Sequence, residues 1–117
     1  MPTLYRIVSR GAWAEALKSA AFQGSAHDQR DGYIHLSAAH QVRETAAKHY
    51  AGQPDLLLLY VREEALVNAP GTLRWEPSRG GDRFPHWYGV LPAACVHRVE
   101  PLPLGAEGQH QLPFLEE

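Results

Sequence analysis

Cysteine is nearly absent from the chain: Cys95 stands alone, so no internal disulfide can form, and a reducing compartment is favoured. Long apolar runs are missing as well. No stretch approaches the ~20 apolar residues of a membrane helix, and the opening Met-Pro-Thr-Leu-Tyr-Arg-Ile-Val holds no signal-peptide core. These absences predict a cytoplasmic protein without a membrane partner. Positive charge is not in surplus, since 11 Lys and Arg face 13 Asp and Glu for a net charge of −2. Such a balance offers no field to nucleic acid, which makes that partner unexpected. There is no GxSxG elbow and no Walker loop. Despite seven histidines, no HxH, HExxH or Cys/His cluster appears, and His40 and His49 fall on opposite sides of their predicted helix. No metal site is expected. Cys95, among Ala93, Ala94 and Val96, reads as an inert buried thiol rather than a nucleophile.

What is present fits one domain. The chain has 117 residues, 44% apolar and 21% charged, enough for a core without staples. Residues 4–8 read as a strand, and Ser9 as the cap of a helix over 10–21 with Trp13, Ala16, Leu17 and Ala20 on one face. Residues 22–32 read as a loop and 33–36 as a second short strand. Ser37 is placed as the N-cap of a helix over 38–51, ended by Gly52. The Leu-Leu-Leu-Leu-Tyr run within 55–61 predicts a central strand covered on both faces. One helical turn at 63–66, a strand over 73–76, a long connection over 77–89 and a strand over 96–100 complete the pattern. The order predicts an α+β fold: a compact, mixed or antiparallel sheet with two helices. Residues 1–101 make the domain, and 102–117 a C-terminal tail packed on it or trailing from it.

Two stretches concentrate chemistry. In Gly32-Tyr33-Ile34-His35-Leu36-Ser37, strand alternation puts Tyr33 and His35 on one face and the apolar pair on the other. The helix start at Ser37 is a natural anion site, or Ser37 is only a cap. In the segment from Arg74 to Gly89, Ser78-Arg79-Gly80-Gly81 reads either as backbone amides beside an arginine, aimed at a phosphate or carboxylate, or as a tight Gly-Gly turn. His86-Trp87-Tyr88 reads either as a stacking surface for a flat ring or, at Trp87, as a plug of the core. Glu76, between Arg74 and Arg79, is a carboxylate kept ionised by its neighbours, or a structural ion pair.

These stretches, with Arg74-Trp75-Glu76-Pro77-Ser78-Arg79-Gly80-Gly81 and Phe84-Pro85-His86-Trp87-Tyr88-Gly89 in order, resemble the bacterial domain-of-unknown-function family 952. The resemblance implies a minimal ADP-ribosyltransferase-like fold, a bent β-sheet with a cleft suited to NAD. By order along the chain it implies Arg6 on the first strand, the His35–Ser37 segment on the second and Glu76 on the third. Glu76 would bond the nicotinamide ribose and Tyr33 or Trp87 would stack on the ring. The Ser-Thr-Ser run and the Glu-x-Glu pair of such enzymes are missing here.

Three functions are compatible with this reading. The first is a binding domain for a nucleotide or another small phosphorylated or carboxylated molecule, with Arg6, Tyr33, Ser37, Ser78, Arg79, Gly80, Gly81, His86, Trp87 and Tyr88 as its contacts. The second is an enzyme acting on NAD, with Glu76 and His35 catalytic. The third is a scaffold or interaction protein in which both motifs serve only the fold.

Overall fold

β1 (Thr3–Ser9) builds two cores at once. Its two-residue period sends Leu4 and Val8 to one face and Tyr5 and Ile7 to the other, and all four are buried. The computed structural model describes residues 2–117, and every side chain among them but that of Arg79.

Helix α1 (Arg10–Ser19) follows directly, because Ser9 accepts a hydrogen bond from the Ala12 N–H at 3.1 Å. Ala20, left-handed at φ 64°, ends the helix two residues before the predicted stop. Trp13 and Ala16 face the core, but Leu17 is 56% exposed. The predicted loop over 22–32 is more ordered than expected. It holds the end of β2 (Ala21–Phe22) and all of α2 (Ala26–Asp31), where Ser25 and Asp28 form a capping box.

The next segment is one strand broken in two. β3 (Ile34–His35) belongs to one sheet, Leu36 crosses over, and β4 (Ser37–Ala38) pairs with β1 in another. Ser37 stands opposite Tyr5 in that ladder, so it does not cap a helix. A short 3-10 turn (Ala39–Gln41) intervenes before α3 (Val42–His49), and the Gln41 side chain accepts from the Ala38 N–H instead. The anion site expected at a helix start beside Ser37 is therefore lost.

β5 (Leu56–Arg62) has the predicted central place, between β1 and β9 (Val96–Pro101) in the order β4-β1-β5-β9. Leu57, Leu59 and Val61 join the core around Leu4, while Leu56, Leu58 and Tyr60 join the core around Tyr5. α4 (Glu63–Leu66) is the single predicted turn.

The connection over 77–89 is in fact half strand. β6 (Thr72–Pro77) and β7 (Arg83–Tyr88) form a hairpin, with β3 on the far edge of β7. Residues 78–82 close it: Ser78 N–H donates to Asp82 O at 2.8 Å and Gly81 N–H to Ser78 O at 2.9 Å. β8 (Leu91–Pro92) pairs with β2. The fold is α+β, as expected, and every strand pairing among the described residues is antiparallel, one of the two arrangements expected. There are three sheets of four, three and two strands rather than one bent sheet, and four helices among the described residues rather than two. No helix among them is long and apolar enough to cross a membrane. Residues 102–117 cover the Tyr5 side of the large sheet. Leu102 is buried there, Tyr60 donates to Phe114 O at 2.6 Å, and Thr3 Oγ1 donates to Glu116 at 3.0 Å.

Candidate functional site

A cavity of about 220 Å³ opens between α2, α3 and the strands β1, β3 and β7. Its chemistry begins with Asp28, which α2 places there because its capping box fixes the first helical turn. The carboxylate is only 2% exposed. Oδ2 accepts from Ser25 N–H at 2.6 Å and Ser25 Oγ at 3.0 Å. Oδ1 accepts from Arg6 Nη1 at 2.7 Å and His35 N–H at 3.0 Å, and lies 2.7 Å from His35 Nδ1. Burial alone would raise the Asp28 pKa. Hydrogen bonds from His35 and Arg6, with the guanidinium charge, outweigh it and hold this carboxyl far below the ordinary range.

Arg6 is 7% exposed and spans this node. Nε donates to Ile7 O at 3.0 Å and Nη1 also to His35 O at 3.1 Å, while the guanidinium lies 5.1 Å above the Phe22 ring. Its remaining nitrogen, Nη2, has no protein partner among the described residues.

Beside this node stands a second carboxylate–imidazole pair. His35 and His86 are directly opposed in the β3–β7 ladder, so their rings share a face with centroids 5.6 Å apart. Tyr33 stacks on His86 at 4.0 Å and touches His35 at 4.6 Å. His86 is 3% exposed, and its Nδ1 lies 2.8 Å from Glu76 Oε1. That oxygen also accepts from Tyr88 OH at 2.7 Å. Hydrogen bonds from Tyr88 and His86 lower the Glu76 pKa, with Arg74 adding a smaller push, and the same bond raises the Tyr88 phenol. Glu76 holds His86 through Nδ1, and Nε2 of this cavity-lining ring has no protein partner among the described residues.

Six of the residues singled out in the sequence line this cavity: Arg6, Tyr33, His35, Ser37, Ser78 and His86. Glu76 and Tyr88 stand one step back, behind His86. Trp87 is not a contact. One residue from His86 on a strand, it points to the opposite face, is 1% exposed and donates from Nε1 to Val90 O at 2.8 Å. Gly80 and Gly81 form the exposed turn, left-handed at φ 64° and 84°, with the Gly81 amide spent on Ser78. They present no amide cradle to the cavity. The side chain of Arg79 lies outside the described residues. Ser37 Oγ is 3.0 Å from Thr45 Oγ1.

Asp28, Asp31 and His27 escaped the sequence reading although a signal was there. His27, Asp31 and His35 recur at intervals of four residues, and their ligand-type atoms lie within 4.8 Å of one another.

No curated protein sequence matches the chain. Among solved structures, the crystal structure of protein CC0527 from Caulobacter crescentus is 48% identical with a TM-score of 0.87, covering 94% of each chain. A crystal structure of a double mutant of that protein gives 47% and 0.87 over the same coverage. Its solution NMR structure gives 48% and 0.83, covering 96% of this chain and 94% of the other. A family profile described as protein of unknown function, DUF952, matches residues 7–99, and the chain belongs to that family.

Proposed function

We propose that the cavity binds a small carboxylated or phosphorylated metabolite. The observation that carries this reading is the pair of uncommitted nitrogens, Arg6 Nη2 and His86 Nε2, which belong to buried side chains on the wall of one cavity. A buried guanidinium and an imidazole held by a carboxylate are suited to anionic oxygens. Tyr33, flat against His86, supplies an apolar wall.

Size favours a small ligand over a dinucleotide. The volume of about 220 Å³ is below the roughly 300–1,000 Å³ of sites for drug-sized molecules. Glu76, the carboxylate that NAD chemistry would need against the ribose, is engaged by His86 and Tyr88 and does not line the cavity. The NAD-enzyme reading is therefore the weaker one.

A thermal-shift panel of small carboxylates, phosphates, nucleotides and NAD separates the readings. A ligand at about 100 times its dissociation constant adds roughly 2.7 kcal/mol, and a chain of this length should then melt about 10 °C higher. The expected hit is a small acid whose effect disappears in His86→Phe while the circular dichroism spectrum is retained. Stabilisation by NAD with release of nicotinamide, abolished in Glu76→Gln, would favour the enzyme. Silence across the panel would leave the scaffold reading.

A further inference from the structure

The geometry points to a binding site for a divalent transition-metal ion, of the imidazole-preferring zinc class, formed by His27, Asp31 and His35 at the mouth of the cavity. It stands on its own observations, independent of the anion reading above.

The local fold assembles the site. His27 and Asp31 are one turn apart on α2 and so share a face. Gly32, left-handed at φ 88°, ends that helix and turns the chain back. β3 then brings the His35 ring to 4.5 Å from that of His27, centroid to centroid. Asp31 Oδ2 sits 3.1 Å from His27 Nε2 and 3.0 Å from His35 Nε2. Metal–ligand bonds of about 2.0–2.2 Å at angles of about 90–109° place adjacent ligand atoms roughly 2.8–3.6 Å apart. Both spacings fall in that window before any ion is considered.

The outer partners point the same way. His35 Nδ1 is held at 2.7 Å by Asp28, itself fixed by Arg6 and Ser25. A carboxylate behind a ligating histidine sets the tautomer that leaves Nε2 for the metal. Both nitrogens of His35 face carboxylates, an arrangement that needs either a proton or a metal ion on Nε2. Arg6 balances Asp28, and Arg30, with Nε 3.6 Å from Asp31 Oδ1, balances Asp31, so it is the donor atoms and not net charge that favour a metal. Two nitrogen donors and one carboxylate favour zinc, nickel or cobalt over magnesium or calcium. All three residues line the cavity, so the remaining coordination positions open onto it, as in sites where a metal holds a ligand.

The test uses tag-free full-length protein, chelator-treated, titrated with zinc by calorimetry and with cobalt(II) by visible absorption. One equivalent should bind, and cobalt should give ligand-field bands of a low-symmetry site with nitrogen donors. His27→Ala and Asp31→Asn should each lower affinity at least about tenfold, the loss expected for a missing ligand or partner. His27 is 51% exposed and Asp31 32%, so neither change reaches the core. The control His40→Ala, on a side chain 71% exposed, should bind as the parent does. Failure to saturate, or undiminished binding in the His27→Ala/Asp31→Asn double variant, overturns the proposal. A negative ligand panel leaves this titration unaffected.

Discussion

Asp28→Asn should be the most damaging conservative change in the protein. The substitution keeps the shape and removes the charge. Arg6 and Asp28 are 7% and 2% exposed and 2.7 Å apart, so the guanidinium would be left buried without its counter-ion. Breaking one side of a buried pair costs about 3–5 kcal/mol. Whichever way the new amide turns, its NH2 would meet a backbone N–H that now donates to the carboxylate, Ser25 at 2.6 Å or His35 at 3.0 Å. Such a clash belongs to the same rearrangement and is not added on top. Against a typical total of about 5–15 kcal/mol, the melting temperature should fall by roughly 12–20 °C.

Urea unfolding followed by the fluorescence of the three tryptophans measures this directly. Arg6→Met should cost a similar amount, and the double variant Arg6→Met/Asp28→Asn much less than the sum, because no charge is then stranded. The pH dependence supplies a second check. The folded-state pKa of Asp28 is depressed, so its contribution is full above the unfolded value of about 4 and is lost as pH falls below it. The wild-type protein should lose stability more steeply between about pH 5 and pH 2 than Asp28→Asn does. Asp31, Glu76, Asp82 and Glu116 are also depressed, so only the difference between the two proteins reports Asp28. A loss below about 1 kcal/mol at neutral pH, or parallel acid limbs, would refute the argument that a buried pair organises this site.

Gly71→Ala should destabilise by roughly 1–3 kcal/mol through overpacking, since an added Cβ would lie 2.6 Å from both Trp87 Cζ2 and Tyr88 O; chemical unfolding of the variant, expected to show a lower midpoint at unchanged slope, checks it. Burial raises the Cys95 thiol above its ordinary range, and Sγ points at Ala65 O at 3.6 Å. A thiol reagent should therefore react slowly with the native protein and at once in urea, whereas rapid native labelling would contradict the packing.

The elements legible in the sequence are those whose local pattern and tertiary use agree. β5 shows this: its unbroken apolar run demanded cover on two sides, and the alternation of Leu57 with Leu58 feeds two separate cores. Ser9 caps α1 as its residue type suggests. Where local and long-range uses compete, the sequence misleads. Ser37 has the chemistry of a cap, but pairing with Tyr5 claims its backbone for a strand. β7 reads as a loop because Pro85 sits in its middle and two glycines precede it, yet the carbonyl of that proline accepts from Leu36 N–H, which ties β7 to the crossing from β3 to β4.

The site follows the same division. His35 and His86 were visible as residues, but their meeting depends on a register, β3 against β7, that no local pattern encodes. Once that register is known, parity does the rest: His86 must face the cavity and Trp87 must face the core. Asp28 was hidden for a different reason. Its sequence neighbours give it a complete local explanation as the partner of Ser25 in a capping box, and nothing there requires a second role. Yet a cap has two carboxylate oxygens, and the helix uses only Oδ2. The other is free to face inward, and a buried free oxygen must find donors. Arg6 and His35 are those donors, so the residue that completes the capping box of α2 also fixes one group of the proposed anion site and one ligand of the proposed metal site.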